Sequence, residues 1–139
     1  MNYKIIGKYI KNLNFSIPSS KSFFLLSKNI SNYKINIDIK SNQVDKNIVE
    51  IILTLSLIPI KNDFEKINTK IEFSTVIQLT DSNISKDEIE KIVLISVPTE
   101  VYTELRKIFV SLFENSGFKE VKINENVDFE KLYNSNRIQ

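Results

Sequence analysis

Apolar and polar residues alternate with a period of two over four stretches of the first eighty residues, which predicts four β-strands. In the first, Tyr3–Ile17, the residues Ile5, Tyr9, Leu13, Phe15 and Ile17 share one phase. Ile6 and Ile10 fall in the other, so the strand carries a bulge or is covered on both faces. The second, Tyr33–Lys40, alternates strictly and predicts one buried and one wet face. The third, Asn47–Ile60, is apolar in both phases, and the fourth, Phe64–Leu79, alternates again. Ser41–Lys46 and Lys61-Asn62-Asp63 read as short turns between strands two and three and strands three and four. Pro18–Asn32 reads as a long loop carrying the apolar run Phe23-Phe24-Leu25-Leu26, a combination that marks a functional or lid-like connection.

After Thr80 the period becomes helical. Ser85 with Glu88 three residues on has capping-box spacing, and Ile89, Ile92, Val93 and Ile95 follow. Pro98 is suited to the first turn of a second helix. Its stripe, Val101, Leu105, Ile108, Phe109, Leu112 and Phe113, recurs every three to four residues. Ser116-Gly117 reads as its C-cap. A short extended piece, Phe118–Ile123, leads to one or two helical turns over Asp128–Asn134 and a frayed tail. Strands followed by helices give an α+β fold: a four-stranded antiparallel sheet with C-terminal helices packed on one face. Residues 1–139 form a single domain, and one helical layer leaves apolar sheet surface uncovered.

Composition narrows the chemistry. The chain has no Cys and no His and only two glycines, Gly7 and Gly117. Disulfides, thiolate nucleophiles, imidazole bases and Cys or His metal sites are therefore excluded, and two glycines cannot build a phosphate-cradling loop. Nothing at the start resembles a signal peptide and no run is long enough to span a bilayer, so the expectation is a soluble cytoplasmic protein. The net charge is +2, but 17 Lys against 2 Arg argues for compositional drift rather than nucleic-acid recognition. The charge is asymmetric: residues 1–80 carry +5 and residues 81–130 carry −5. Asp87, Glu88, Glu90, Glu100 and Glu104 suit helix N-termini and solvated faces better than catalysis or a metal site. Ser31 with Lys34 has the spacing of a Ser/Lys dyad but places the lysine on a wet strand face. These readings favour a binding protein over an enzyme and imply no cofactor. A small-ligand-binding α+β domain is the alternative.

Several local patterns carry a resemblance. Tyr9, Lys11, Leu13, Phe15 and Pro18 match in spacing the first strand of the bacterial protein-export chaperone SecB family, Y-x-K-D-I-S-F-E followed by proline. Pro98, Tyr102 and Arg106 match parts of its C-P-N-x-x-F-P-Y-A-R segment. Gly117-Phe118 and Val127-Asp128-Phe129-Glu130-Lys131-Leu132-Tyr133 match its later G-F step and closing V-N-F-x-x-L-F/Y.

The resemblance implies an ATP-independent holdase that binds unfolded preproteins and delivers them to SecA, as a homotetramer built as a dimer of dimers. It implies that the first strands and long helices form subunit contacts, with Tyr102, Arg106 and Phe109 as interface candidates. It makes Phe23, Phe24, Leu25 and Leu26 candidates for the client groove, with Leu132 and Tyr133 from the last helix. SecA docking would fall at Asn12 and Ser16, which replace family acids, and at Lys70 and Glu72. A SecB-like chaperone serving another partner, such as an antitoxin, is a second reading.

Overall fold

The computed structural model describes residues 2–29, 33–59, 68–118 and 126–138. Four strands, β1 (Tyr3–Ser16), β2 (Tyr33–Asp45), β3 (Ile48–Pro59) and β4 (Asn68–Leu79), form one antiparallel sheet in the order β1-β4-β3-β2. The predicted fold class is borne out. The predicted turn Lys61–Asp63, residues 64–67 of the fourth strand and most of Phe118–Ile123 lie outside the described residues.

The phase break in the first strand is a real bulge, twice over. Register shifts fall between Ile5 and Gly7 and between Ile10 and Asn12. Each extra residue inverts the side-chain phase. Tyr3 and Ile5 therefore face the helices, Tyr9 turns to the opposite face, and Phe15 returns to the core against Phe113, 5.1 Å between ring centroids. Of the single phase predicted for Ile5, Tyr9, Leu13 and Phe15, Tyr9 alone is displaced, because the second inversion returns Leu13, opposite Ile71, to the side of Ile5.

Strand β2 runs longer than predicted, and its turn to β3 is only Lys46-Asn47. Asn47 takes a left-handed backbone (φ 61°), which asparagine tolerates better than most residues. Polar side chains over Ser41–Asp45 hid the strand, because at an exposed hairpin end neither face needs to be apolar.

The loop predicted over Pro18–Asn32 holds a helix, α1 (Ser20–Asn29). Ser19 caps it: its hydroxyl oxygen accepts from the Ser22 amide at 3.1 Å. Leu26 enters the core, and Phe23 packs on Phe118 at 4.9 Å.

Helix α2 (Lys86–Lys91) begins at the predicted cap, where Ser85 Oγ accepts from the Glu88 amide at 3.2 Å. It does not stop before Pro98. A π-helical turn (Ile92–Ser96) joins it without a break to α3 (Val97–Asn115). Proline in an α-helix interior crowds the carbonyl four residues back, and a widened turn relieves that crowding. Thr99 Oγ1 donates to the Ile95 carbonyl at 2.6 Å within this region. Gly117 ends α3 with φ 97°, as the cap prediction requires. The last helix, α4 (Phe129–Ile138), extends through the tail expected to fray.

One face of β3 and β4, including Ile51, Leu53, Leu55, Ile71, Phe73 and Ile77, packs against Val97, Val101, Leu105, Phe109 and Phe113 of α3. The acids of α2 and α3 reach back to β1. Glu88 accepts from Asn2 at 3.0 Å, Glu100 from Tyr3 at 2.9 Å and Glu104 from Lys8 at 2.8 Å. Burial, with help from Glu100, pushes the Tyr3 phenol up to about 12. Of these contacts, Lys8–Glu104 is an ion pair between the basic first half of the chain and the acidic second half.

Candidate functional site

Residues 50, 52, 54 and 56 of β3 point away from the helices, together with 70, 72 and 74 of β4. On this outer face Glu50 is only 6% exposed. Tyr9 Oη and Ser74 Oγ each donate to Glu50 Oε2 at 2.6 Å, and Asn42 Nδ2 donates to Oε1 at 2.9 Å. Lys11 Nζ lies 3.1 and 3.2 Å from the two oxygens. The second bulge of β1 falls at Lys11.

One carboxylate therefore bonds the other three strands of the sheet. The Ser74 and Tyr9 hydroxyls, with Lys11 and Asn42 adding to them, outweigh burial and hold its pKa down to about 2. Sequence reasoning missed Glu50. The available signal was Glu50 as the one charged residue of a largely apolar strand, in phase with Ile48 and Ile52.

The four docking candidates share this outer face. Asn12 lies opposite Glu72, Ser16 lies opposite Asn68, and Lys70 lies opposite Asn14 and pairs with Glu72 at 3.3 Å. Lys70 and Glu72 also line a depression of about 370 Å³ with Asn36, Asp38 and Lys40.

The apolar candidates divide. Phe24 is 61% exposed and Leu25 is exposed beside it, while Phe23 is half-buried and Leu26 is buried. Leu26 is thus corrected from groove to core, because it anchors α1 to the sheet. In α4, Asp128 Oδ1 accepts from the Lys131 amide at 2.9 Å and caps the helix. Phe129, Leu132 and Tyr133 then fall on one face. They line a groove of about 360 Å³ with Ile37, Asp38 and Ile39 of edge strand β2, Glu90 and Leu94. Tyr133 and Phe129 are buried against it and Leu132 is exposed. No α1 residue is among those lining this groove.

The interface candidates also divide. Tyr102 and Phe109 are buried in the chain's own core, Tyr102 stacking edge-on against Phe129 at 5.9 Å. Burial raises the Tyr102 phenol, while the charge of Arg106 acts in the opposite direction. Tyr102 and Phe109 offer no surface to a second subunit, which corrects that expectation; Arg106 is half-exposed. The large apolar side chains exposed on the β1 edge are instead Ile6, Tyr9, Ile10 and Leu13.

The family model described as preprotein translocase subunit SecB matches residues 1–139. The chain belongs to the SecB family. A putative protein-export protein SecB from Pelagibacter ubique is 33% identical over 132 residues, covering 95% of this chain and 94% of that protein. The protein-export protein SecB of Rhodospirillum rubrum is 26% identical over 97% of this chain and 81% of its own length. Among solved structures, the Mycobacterium tuberculosis SecB-like chaperone Rv1957, in complex with a peptide from the HigA1 antitoxin, superposes with a TM-score of 0.65. It is 9% identical and covers 91% of this chain and 88% of its own, a likeness of fold. SecB is a family of protein-export chaperones. Among the described residues no helix is long and apolar enough to cross a membrane.

Proposed function

We propose that this SecB-family chain is an ATP-independent holdase that keeps preproteins unfolded in the cytoplasm and passes them to SecA. The observation that carries this reading is the apolar surface beyond the core: Phe24 and Leu25 on α1, and the groove holding Leu132. Unfolded chains expose apolar side chains, and their burial contributes roughly 25 cal/mol per Å² without requiring one sequence. Assembly as a dimer of dimers, with β1 edges in contact, would present several such surfaces to one client and raise avidity.

The test is light scattering of an aggregating unfolded client with the protein added and no ATP. Dose-dependent suppression supports the reading, and unaltered aggregation overturns it.

A second reading rests on a separate observation. Asn12 and Ser16 are uncharged and Glu72 is paired with Lys70, so among the described residues these positions of the outer face do not supply the free acids the family resemblance implies for SecA. That favours a SecB-like chaperone with another partner, an antitoxin among them. Capture of the matching SecA at low salt separates the two: retention supports export, and no retention favours the other partner.

A further inference from the structure

Positions 21, 24, 25 and 28 of α1 recur at i, i+3, i+4 and i+7, so Lys21, Phe24, Leu25 and Lys28 form one stripe along the helix. All four are exposed, while Ser22 and Leu26 of the same helix are buried. The stripe is therefore the outward face, with two apolar side chains at its centre and a cation one turn away on each side. Helix α1 carries no acid, and neither lysine forms an ion pair among the described residues.

This departs from the groove at α4, whose lining among the described residues includes the acidic Glu90 and no lysine or arginine. The two apolar surfaces of the chain thus differ in the charged residues beside them: lysines on α1, Glu90 at the α4 groove.

We propose that the outward face of α1 binds unfolded segments in which a short apolar core is flanked by Asp or Glu. The inference rests on the chaperone reading and names the client chemistry of one of its surfaces. Phe24 and Leu25 supply the apolar contact, and Lys21 and Lys28 pair with carboxylates on either side of the segment. The lysine stems can lie along the client while their ammonium groups stay in water. Such exposed pairs contribute little to affinity singly, and their effect lies in choosing among clients of equal hydrophobicity. A segment flanked by Lys meets like charge at both ends and is disfavoured.

The experiment uses the intact protein and three fluorescein-labelled peptides with one shared core of Phe and Leu, flanked on both sides by Glu, by Ser or by Lys. Fluorescence anisotropy at low salt gives the order of binding. The expected order is Glu, then Ser, then Lys, with roughly a three- to tenfold difference between the extremes. Near 1 M salt the difference collapses, because charges are then screened beyond about 3 Å. K21E/K28E reverses the order, and F24S/L25S weakens the Glu-flanked peptide while circular dichroism stays that of the parent.

Equal binding of the three peptides, or an order that K21E/K28E leaves unmoved, overturns the inference while leaving the holdase reading intact. No binding by any peptide, together with no suppression of client aggregation, overturns both. Retention on phosphatidylglycerol-containing vesicles that K21E/K28E abolishes, without any peptide preference, assigns the face to a lipid surface instead and also overturns it.

Discussion

Tyr9 Oη lies 2.6 Å from Glu50 Oε2, a contact that crosses β4 to join the edge strand β1 to the central strand β3. The first bulge of β1 makes the contact possible by turning Tyr9 to the outer face, and the second falls at Lys11, whose ammonium reaches the same carboxylate. Tyr9 and Lys11 belong to the first-strand pattern that carries the family resemblance. In this chain their structural task is to hold one buried acid.

Glu50 makes acid stability a direct readout of that cluster. Its folded pKa, about 2, is depressed below the usual 4.5. Its stabilisation is therefore fully present above pH 4.5 and is lost as pH falls toward 2. E50Q should lower stability at neutral pH by about 1.5–3 kcal/mol, the range for hydrogen bonds to a charged group. It should also flatten the pH dependence between 4.5 and 2. Urea titrations at several pH values check both, and an unchanged acid slope in E50Q would count against the cluster.

Gly117 supports a second prediction. Its φ of 97° is a left-handed conformation, and an added Cβ would lie 3.3 Å from the Phe23 ring. G117A should cost about 1–3 kcal/mol and loosen α1, because Phe23 is one of the side chains seating that helix. Thermal unfolding measures the first effect, and hydrogen exchange of the α1 amides measures the second.

The exposed apolar side chains of β1 predict the subunit contact. I10E with L13E should reduce the mass in solution from about four times 16.2 kDa to that of a smaller species. Both positions are exposed, so the cost to the protomer's own stability should stay within about 0.5 kcal/mol per substitution. Multi-angle light scattering reads the mass directly, and an unchanged mass would place the contact elsewhere.

Docking to SecA can be tested by gain. N12D, S16E and K70E together place three acids on the outer face and free Glu72 from its lysine. Capture of SecA at low salt should strengthen by about three- to thirtyfold and return toward the parent at high salt. No change would separate this face from SecA altogether.

Leu132 separates function from folding. Truncation to Ser removes an exposed apolar side chain from the groove, so suppression of client aggregation should weaken while thermal stability barely changes. L26S should do the reverse of a clean functional defect: it removes a buried anchor, and the protein should lose stability by about 2–5 kcal/mol.

The strands, the caps at Ser85 and Gly117 and the long helical stripe were legible because each is encoded by neighbours in sequence. The bulges of β1 were legible as a disagreement between Ile5 and Ile6, yet the resulting flip of Tyr9 was not. That flip depends on where each extra residue sits against β4. Helix α1 reads as loop in the sequence because its period is short and its serines and lysines resemble a linker; the Phe118 ring that receives Phe23 lies far away in the chain. Of the apolar site candidates, Phe24, Leu25 and Leu132 are exposed as a binding role requires, whereas Leu26 is core. Hydrophobicity alone does not state which side of a helix faces inward. Glu50 stood out too little, since one acid in a strand acquires meaning only through Tyr9, Asn42 and Ser74.

The π-helical turn at Ile92–Ser96 has a consequence for how this gene can change length. A turn of this kind holds one residue more than the α-helix it interrupts. Losing a single residue there would leave the apolar stripes of α2 and α3 aimed at the sheet as before. The same deletion elsewhere in α3 would rotate every later side chain by about 100° and turn Phe109 and Phe113 out of the core. Pro98 opposes even the tolerated deletion, since its ring needs the room the wide turn provides. A shortened chain would therefore be expected to lose the proline along with the extra residue.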